Sequence, residues 1–89
     1  MYGIVKWWND KAGFGFITAK DADGGFKDYF AHHKRIISGK KFKKLKDGWV
    51  VSFTPDVNEK GSVANDIRRS DFESADLGDI RLYLYNQEV

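Results

Sequence analysis

The chain has no cysteine. That excludes a disulfide framework and any thiolate metal site. It has no apolar run long enough to span a bilayer as a helix. Its first residues, Met1-Tyr2-Gly3-Ile4-Val5-Lys6, lack the pattern of a signal peptide. A cytoplasmic protein without a membrane partner is the expectation. Its two histidines, His32 and His33, are adjacent. Adjacent strand residues point to opposite faces, so this pair makes a poor metal site. No nucleophile–base constellation is present. Gly13-x-Gly15 lacks the third glycine of a dinucleotide fingerprint, because Thr18 stands there and no helix pattern follows. Asp21-x-Asp23-Gly24 opens like a calcium loop and then fails. Gly25 brings no carboxylate to the third ligand position, and His32 stands where a closing Glu is required. The sequence predicts a protein that is not an enzyme, with no metal and no cofactor.

Rings and lysines are abundant instead. Eighty-nine residues make one small domain with a modest core. At 42% hydrophobic the chain is too apolar for disorder. Its three Trp, four Tyr and seven Phe are too many for a small core to hide, so some rings are expected on the surface. Exposed rings usually have a partner. The net charge of +2 hides an asymmetry. Residues 1–70 carry fourteen Lys and Arg against eight Asp and Glu, a net of +6. Residues 71–89 carry one Arg against five acids, a net of −4. A basic body suits a polyanion, and the acidic end reads as a tail that shields or regulates it.

The central stretch is Lys6-Trp7-Trp8-Asn9-Asp10-Lys11-Ala12-Gly13-Phe14-Gly15-Phe16-Ile17. It reads as strand, turn, strand, with Asn9-Asp10-Lys11 supplying the turn chemistry. Phe14 and Phe16 share one face by alternation. Gly15 between them lets another backbone or a ligand come close. Strands are expected at about 2–8, 13–19, 26–32, 49–55 and 62–69. Gly24-Gly25 and Asn58-Glu59-Lys60-Gly61 form turns between them, and Lys34–Ser38 forms one helical turn. Tyr29 and Ala31 then face inward with Ile17, while Phe30 and His32 face outward with Phe14 and Phe16. Val51, Phe53, Ala64 and Ile67 are expected in the core, and Leu45 tucks inward. Pro55 is expected at a strand end or an edge. Short strands with no long helix between them fit an all-β barrel or a small sandwich.

Lys6-Trp7-Trp8-Asn9 with Gly13-Phe14-Gly15-Phe16-Ile17 resembles the first RNA-binding signature of the cold-shock domain family. Asp28-Tyr29-Phe30-Ala31-His32-His33 resembles the second. The resemblance runs from about Tyr2 to Arg69. It implies a five-stranded Greek-key barrel of the oligonucleotide-binding (OB) fold and a partner of single-stranded RNA or DNA, bound with low sequence specificity. Three positions depart from the family pattern. Ala12 stands in place of the usual Lys, Trp8 in place of a Phe, and His33 in place of a Phe. The expected stacking residues are Trp7, Phe14, Phe16, Phe30, His32, His33 and Phe42, with Trp8 packed at the platform's edge. Lys6 and Lys11, with several of Lys40, Lys41, Lys43 and Lys44, are expected to track phosphates.

Residues 1–69 are thus expected as the binding domain and residues 70–89 as an extension. Ser70-Asp71-Phe72-Glu73 reads as a capping box for a short helix that Gly78 ends. Ile80-Arg81-Leu82-Tyr83-Leu84-Tyr85 then alternates like a strand. Such a strand needs a neighbour, either its own barrel or a second copy paired through Ile80, Leu82 and Leu84. The competing reading of the whole chain is a protein-interaction module on the same scaffold.

Overall fold

A computed structural model describes residues 1–39 and 43–87. The expected alternation is realised in five strands: β1 Tyr2–Asn9, β2 Phe14–Lys20, β3 Phe26–His32, β4 Val50–Asn58 and β5 Gly61–Arg69. They close into a barrel in the order β1-β2-β3-β5-β4. Closure removes the unpaired edges that a five-stranded open sheet would expose. The β1–β2, β2–β3, β1–β4 and β4–β5 pairs are antiparallel. The β3–β5 pair is parallel and short, joined at Phe30 and Val63. A single 3-10 turn at His33–Arg35 follows β3. Beyond it Ile36 bridges Ile67, and the Ile37 N–H donates to the Ile67 carbonyl at 2.8 Å. These contacts complete the seam that the short β3–β5 pair leaves open.

The barrel interior holds Val5, Ile17, Ala19, Tyr29, Ala31, Ile36, Leu45, Val51, Phe53, Ala64 and Ile67. Gly15 also faces inward, and it serves a backbone rather than a ligand. A Cβ there would sit 2.1 Å from the Trp7 carbonyl oxygen and 2.9 Å from the Trp8 Cα. Only glycine lets β1 and β2 approach this closely. β4 runs three residues past Pro55. β1 pairs with β4 only as far as Ser52, and Met1 extends that side only to Phe53. Beyond that point β4 has β5 alone as neighbour, so the missing proline N–H falls on an open side.

The extension departs from expectation. Residues 75–87 form a helix, α1 (Ala75–Gln87), in place of the expected strand. The alternation of Ile80, Leu82 and Leu84 was equally compatible with Leu77, Ile80 and Leu84 at helical spacing, and that helical stripe is the one the fold uses. Leu77 and Ile80 are each 1% exposed, packed with Ile4 and Val50 and flanked by Phe26 and Leu84. Ser74, not Ser70, caps the helix, its Oγ accepting from the Leu77 N–H at 3.3 Å. Ser70 Oγ accepts from the Phe72 N–H instead, and Glu73 makes a two-bond ion pair with Arg81. Gly78 lies inside the helix rather than at its end. Two ring stacks fasten the extension to the barrel: Phe26 with Tyr83 at 4.0 Å and Tyr2 with Phe72 at 4.3 Å. The strand expected through Ile80, Leu82 and Leu84, by which a second copy would have paired, is replaced by this helix. The segment is helical, and Ile80 is buried against its own barrel. Among the described residues no helix is long and apolar enough to cross a membrane.

Candidate nucleic-acid interface

The outer face of β1, β2 and β3 divides into three bands. At one end lie the rings. Phe14 and Phe16 flank inward-facing Gly15 on β2, and register sets them opposite His32 and Phe30 on β3. Trp7 pairs with Phe16 across β1–β2, next to a register shift between Val5 and Trp7. That irregularity turns Trp7 onto the ring face. Its centroid lies 5.8 Å from Phe14 and 5.5 Å from Phe16. Phe30 lies 5.5 Å from Phe14 and 5.7 Å from Phe16, and His32 continues the row at 6.4 Å from Phe30. His33 joins at 4.4 Å from His32. None of these rings is sealed in the core, and Trp7 is 36% exposed.

The middle band is polar. Thr18 Oγ1 donates to Asp28 Oδ1 at 2.7 Å, and Lys6 Nζ donates to Asp28 Oδ2 at 2.9 Å. The Lys6 ammonium is thus held at the border of the ring patch. The third band is Ile4, Phe26 and Lys20, covered by α1. Lys20 binds Asp79 at 2.8 Å and Asp76 at 3.4 Å, and these carboxylates raise its pKa. Phe14 and Lys20 are opposite ends of β2, roughly 20 Å apart at strand rise. Two of the extension's acids therefore neutralise the far end of the face and do not lie over the rings.

The turn that carries Lys11 is built as its residues predict. Asn9 Oδ1 accepts from the Ala12 N–H at 3.0 Å, and Gly13 adopts φ +74°. Lys11 stands exposed there, and Lys43 is exposed in the loop before β4. Trp8 goes elsewhere: it is half-buried, packs against the barrel core, and its indole nitrogen has no hydrogen-bond partner among the described residues. Phe42, Lys40 and Lys41 lie outside the described residues. Burial, then repulsion from His33, Lys34 and Arg35, lowers the pKa of His32. Its Nδ1 accepts the Lys34 N–H at 3.2 Å. The ring therefore offers a neutral, oriented face for stacking.

Tertiary structure adds residues that sequence reading overlooked. Beyond Phe30 and His32 an open cleft of about 480 Å³ is lined by Lys34 and Arg35 from the 3-10 turn and by Asp56, Asn58 and Asn65 from the β4–β5 hairpin. Lys34-Arg35 directly follows the second signature, a signal that was available. The asparagines carried none, because only barrel closure brings the hairpin beside β3.

A closed five-stranded barrel with a cluster of rings on an open face, rimmed by cations, defines an oligonucleotide-binding protein of the OB class. Residues 1–70 match the family model described as the 'Cold-shock' DNA-binding domain. The chain is 50% identical over 62 residues to cold shock protein CapA of Pseudomonas fragi, covering 70% of this chain and 91% of that protein. It is 47% identical over 64 residues to cold shock-like protein CspA of Vibrio cholerae, covering 72% and 86%. Against the major cold shock protein CspA of Pseudomonas aeruginosa it is 42% identical over 66 residues, covering 74% and 88%. The chain belongs to the cold-shock domain family, and its function is nucleic-acid binding of the cold-shock type.

Proposed function

We propose that this protein holds single-stranded RNA or DNA with low sequence specificity, by stacking successive bases on Trp7, Phe14, Phe16, Phe30, His32 and His33. The observation that carries this reading is the unbroken row of ring contacts on one open barrel face. Every base has a π-face, so such a row tolerates sequence. Lys6, Lys11 and Lys43 meet phosphates, together with Lys34 and Arg35. Phosphate engagement by Lys6 exchanges its bond to Asp28 for one to the strand. Bases stacked on the rings are withheld from pairing, so the protein keeps RNA single-stranded and acts as a cytoplasmic binder, not a catalyst. Residues 1–69 carry the ring platform, and the extension braces them.

The test is tryptophan fluorescence during titration with a short oligothymidine at two salt concentrations. Saturable quenching that weakens with salt is expected, because neutralised phosphates release counterions. Quenching indifferent to salt overturns the cation assignments, and a folded chain with no quenching overturns the ring assignment. Repeating the titration with oligouridine ranks RNA against DNA. Light scattering on the free protein checks for a monomer.

A further inference from the structure

The last turn of α1 ends beside the ring patch. Leu84 and Gln87 from α1, with Lys6 and Trp7 from β1 and Asp47 from the loop before β4, line a cleft of about 380 Å³. This volume lies within the range of small-molecule sites. Trp7 belongs both to this cleft and to the ring patch, so the two are continuous. The α1 wall lies beyond the family match, which stops at residue 70. It is also firmly placed, since Leu77 and Ile80 are buried beneath it and Tyr83 stacks on Phe26.

The lining selects among the parts of a nucleotide. Trp7 and Leu84 supply apolar walls, and the Gln87 amide supplies one donor group and one acceptor. Asp47 Oδ1 accepts the Trp8 N–H at 2.8 Å, and its second oxygen remains an acceptor. Lys6 lines one wall; paired with Asp28 in the free protein, it serves the strand's backbone phosphate rather than the base. The helix C-terminus carries partial negative charge, and its last turn holds no basic residue to offset it. Asp47 and the helix C-terminus therefore favour a base edge that bears an exocyclic amino group.

We propose that this cleft is an added base subsite. It takes one nucleobase of the strand as it runs past Trp7, and it prefers amino-bearing adenine, cytosine or guanine to thymine or uracil. The proposal rests on the single-strand reading of the ring face.

The test uses the full chain and an oligothymidine core of about six nucleotides, within the span one such barrel holds. One cytosine or one thymine is added at either end. For wild type, cytosine at one end is expected to tighten binding roughly five- to tenfold, the scale of one stacked base. Thymine there should add less. Gln87→Ala and Asp47→Asn should each remove most of the cytosine gain while leaving affinity for the core unchanged. Both positions are exposed, and Asn at 47 can still accept the Trp8 N–H. Equal gains for cytosine and thymine, or a cytosine gain that survives both substitutions, overturns the subsite and leaves the ring reading standing. Failure of wild type to bind the core overturns both.

Discussion

Tyr29 and Phe30 are chain neighbours on opposite sides of the barrel wall, and replacing each by alanine separates binding from folding. Phe30 is half-buried at the centre of the ring patch, touching Phe14, Phe16 and His32. Removing one stacked base contact costs roughly 1–3 kcal/mol. At about 1.4 kcal/mol per tenfold, Phe30→Ala should weaken oligothymidine binding by about 5- to 150-fold. A fully buried Phe→Ala costs about 3–5 kcal/mol. Phe30 has one open face, so its cost to folding should be about half that. A domain of this size has on the order of 4–13 kcal/mol of stability, so Phe30→Ala stays folded. Tyr29 is 5% exposed and packs on Phe53 at 5.0 Å. Tyr29→Ala should lose about 3–5 kcal/mol, a large share of the total. Its affinity for oligothymidine should fall only in proportion to the fraction unfolded. The assay pairs fluorescence titration with urea unfolding followed by circular dichroism. A folded Phe30→Ala protein that binds within twofold of wild type would falsify the stacking assignment. So would a loss of binding that merely tracks unfolding.

Three further outcomes follow from the geometry. Ile80→Ala empties a sealed position between α1 and Ile4 and Val50, and should lower stability by about 2–5 kcal/mol while oligothymidine affinity holds; an unchanged melting temperature would mean that α1 does not pack on the barrel in solution. Gly15→Ala places a Cβ 2.1 Å from the Trp7 carbonyl, so it should cost at least about 3 kcal/mol and disturb the β1–β2 register, and a wild-type urea midpoint would refute the close approach. Burial and neighbouring positive charge hold the pKa of folded His32 below its ordinary 6.5, so on acidification the unfolded chain takes up this proton first. Stability from this site is therefore intact above about pH 6.5 and declines as pH falls from there toward the lower folded value. His32→Gln should flatten that part of a urea-midpoint profile, and an NMR titration midpoint for His32 at or above 6.5 would contradict the sign.

Much of the ring face was legible because side-chain alternation along a strand is a local rule. Phe14 and Phe16 against Gly15 and Ile17, and Phe30 and His32 against Tyr29 and Ala31, needed only a period of two. Val51 and Phe53 entered the core by the same alternation, and Leu45, Ala64 and Ile67 lie there as expected. Trp8 was harder, since its neighbour Trp7 sits at a register irregularity that no spacing announces.

The extension shows where local rules stop. Its residues satisfy a strand through Ile80, Leu82 and Leu84 and a helix through Leu77, Ile80 and Leu84. The choice depends on the surface they meet. That surface, made of Ile4, Phe26 and Val50, comes from three strands and exists only once the barrel has closed. The same holds for Asp47, which grips Trp8 from 39 residues away, and for Asp28, which holds Lys6 from 22 away. The sequence by itself determined which side chains alternate and therefore which rings stand together on each strand. The tertiary structure alone decided which strands lie side by side, what covers the remaining outer face, and which lysines are held, because contacts between distant residues depend on closure and not on local spacing.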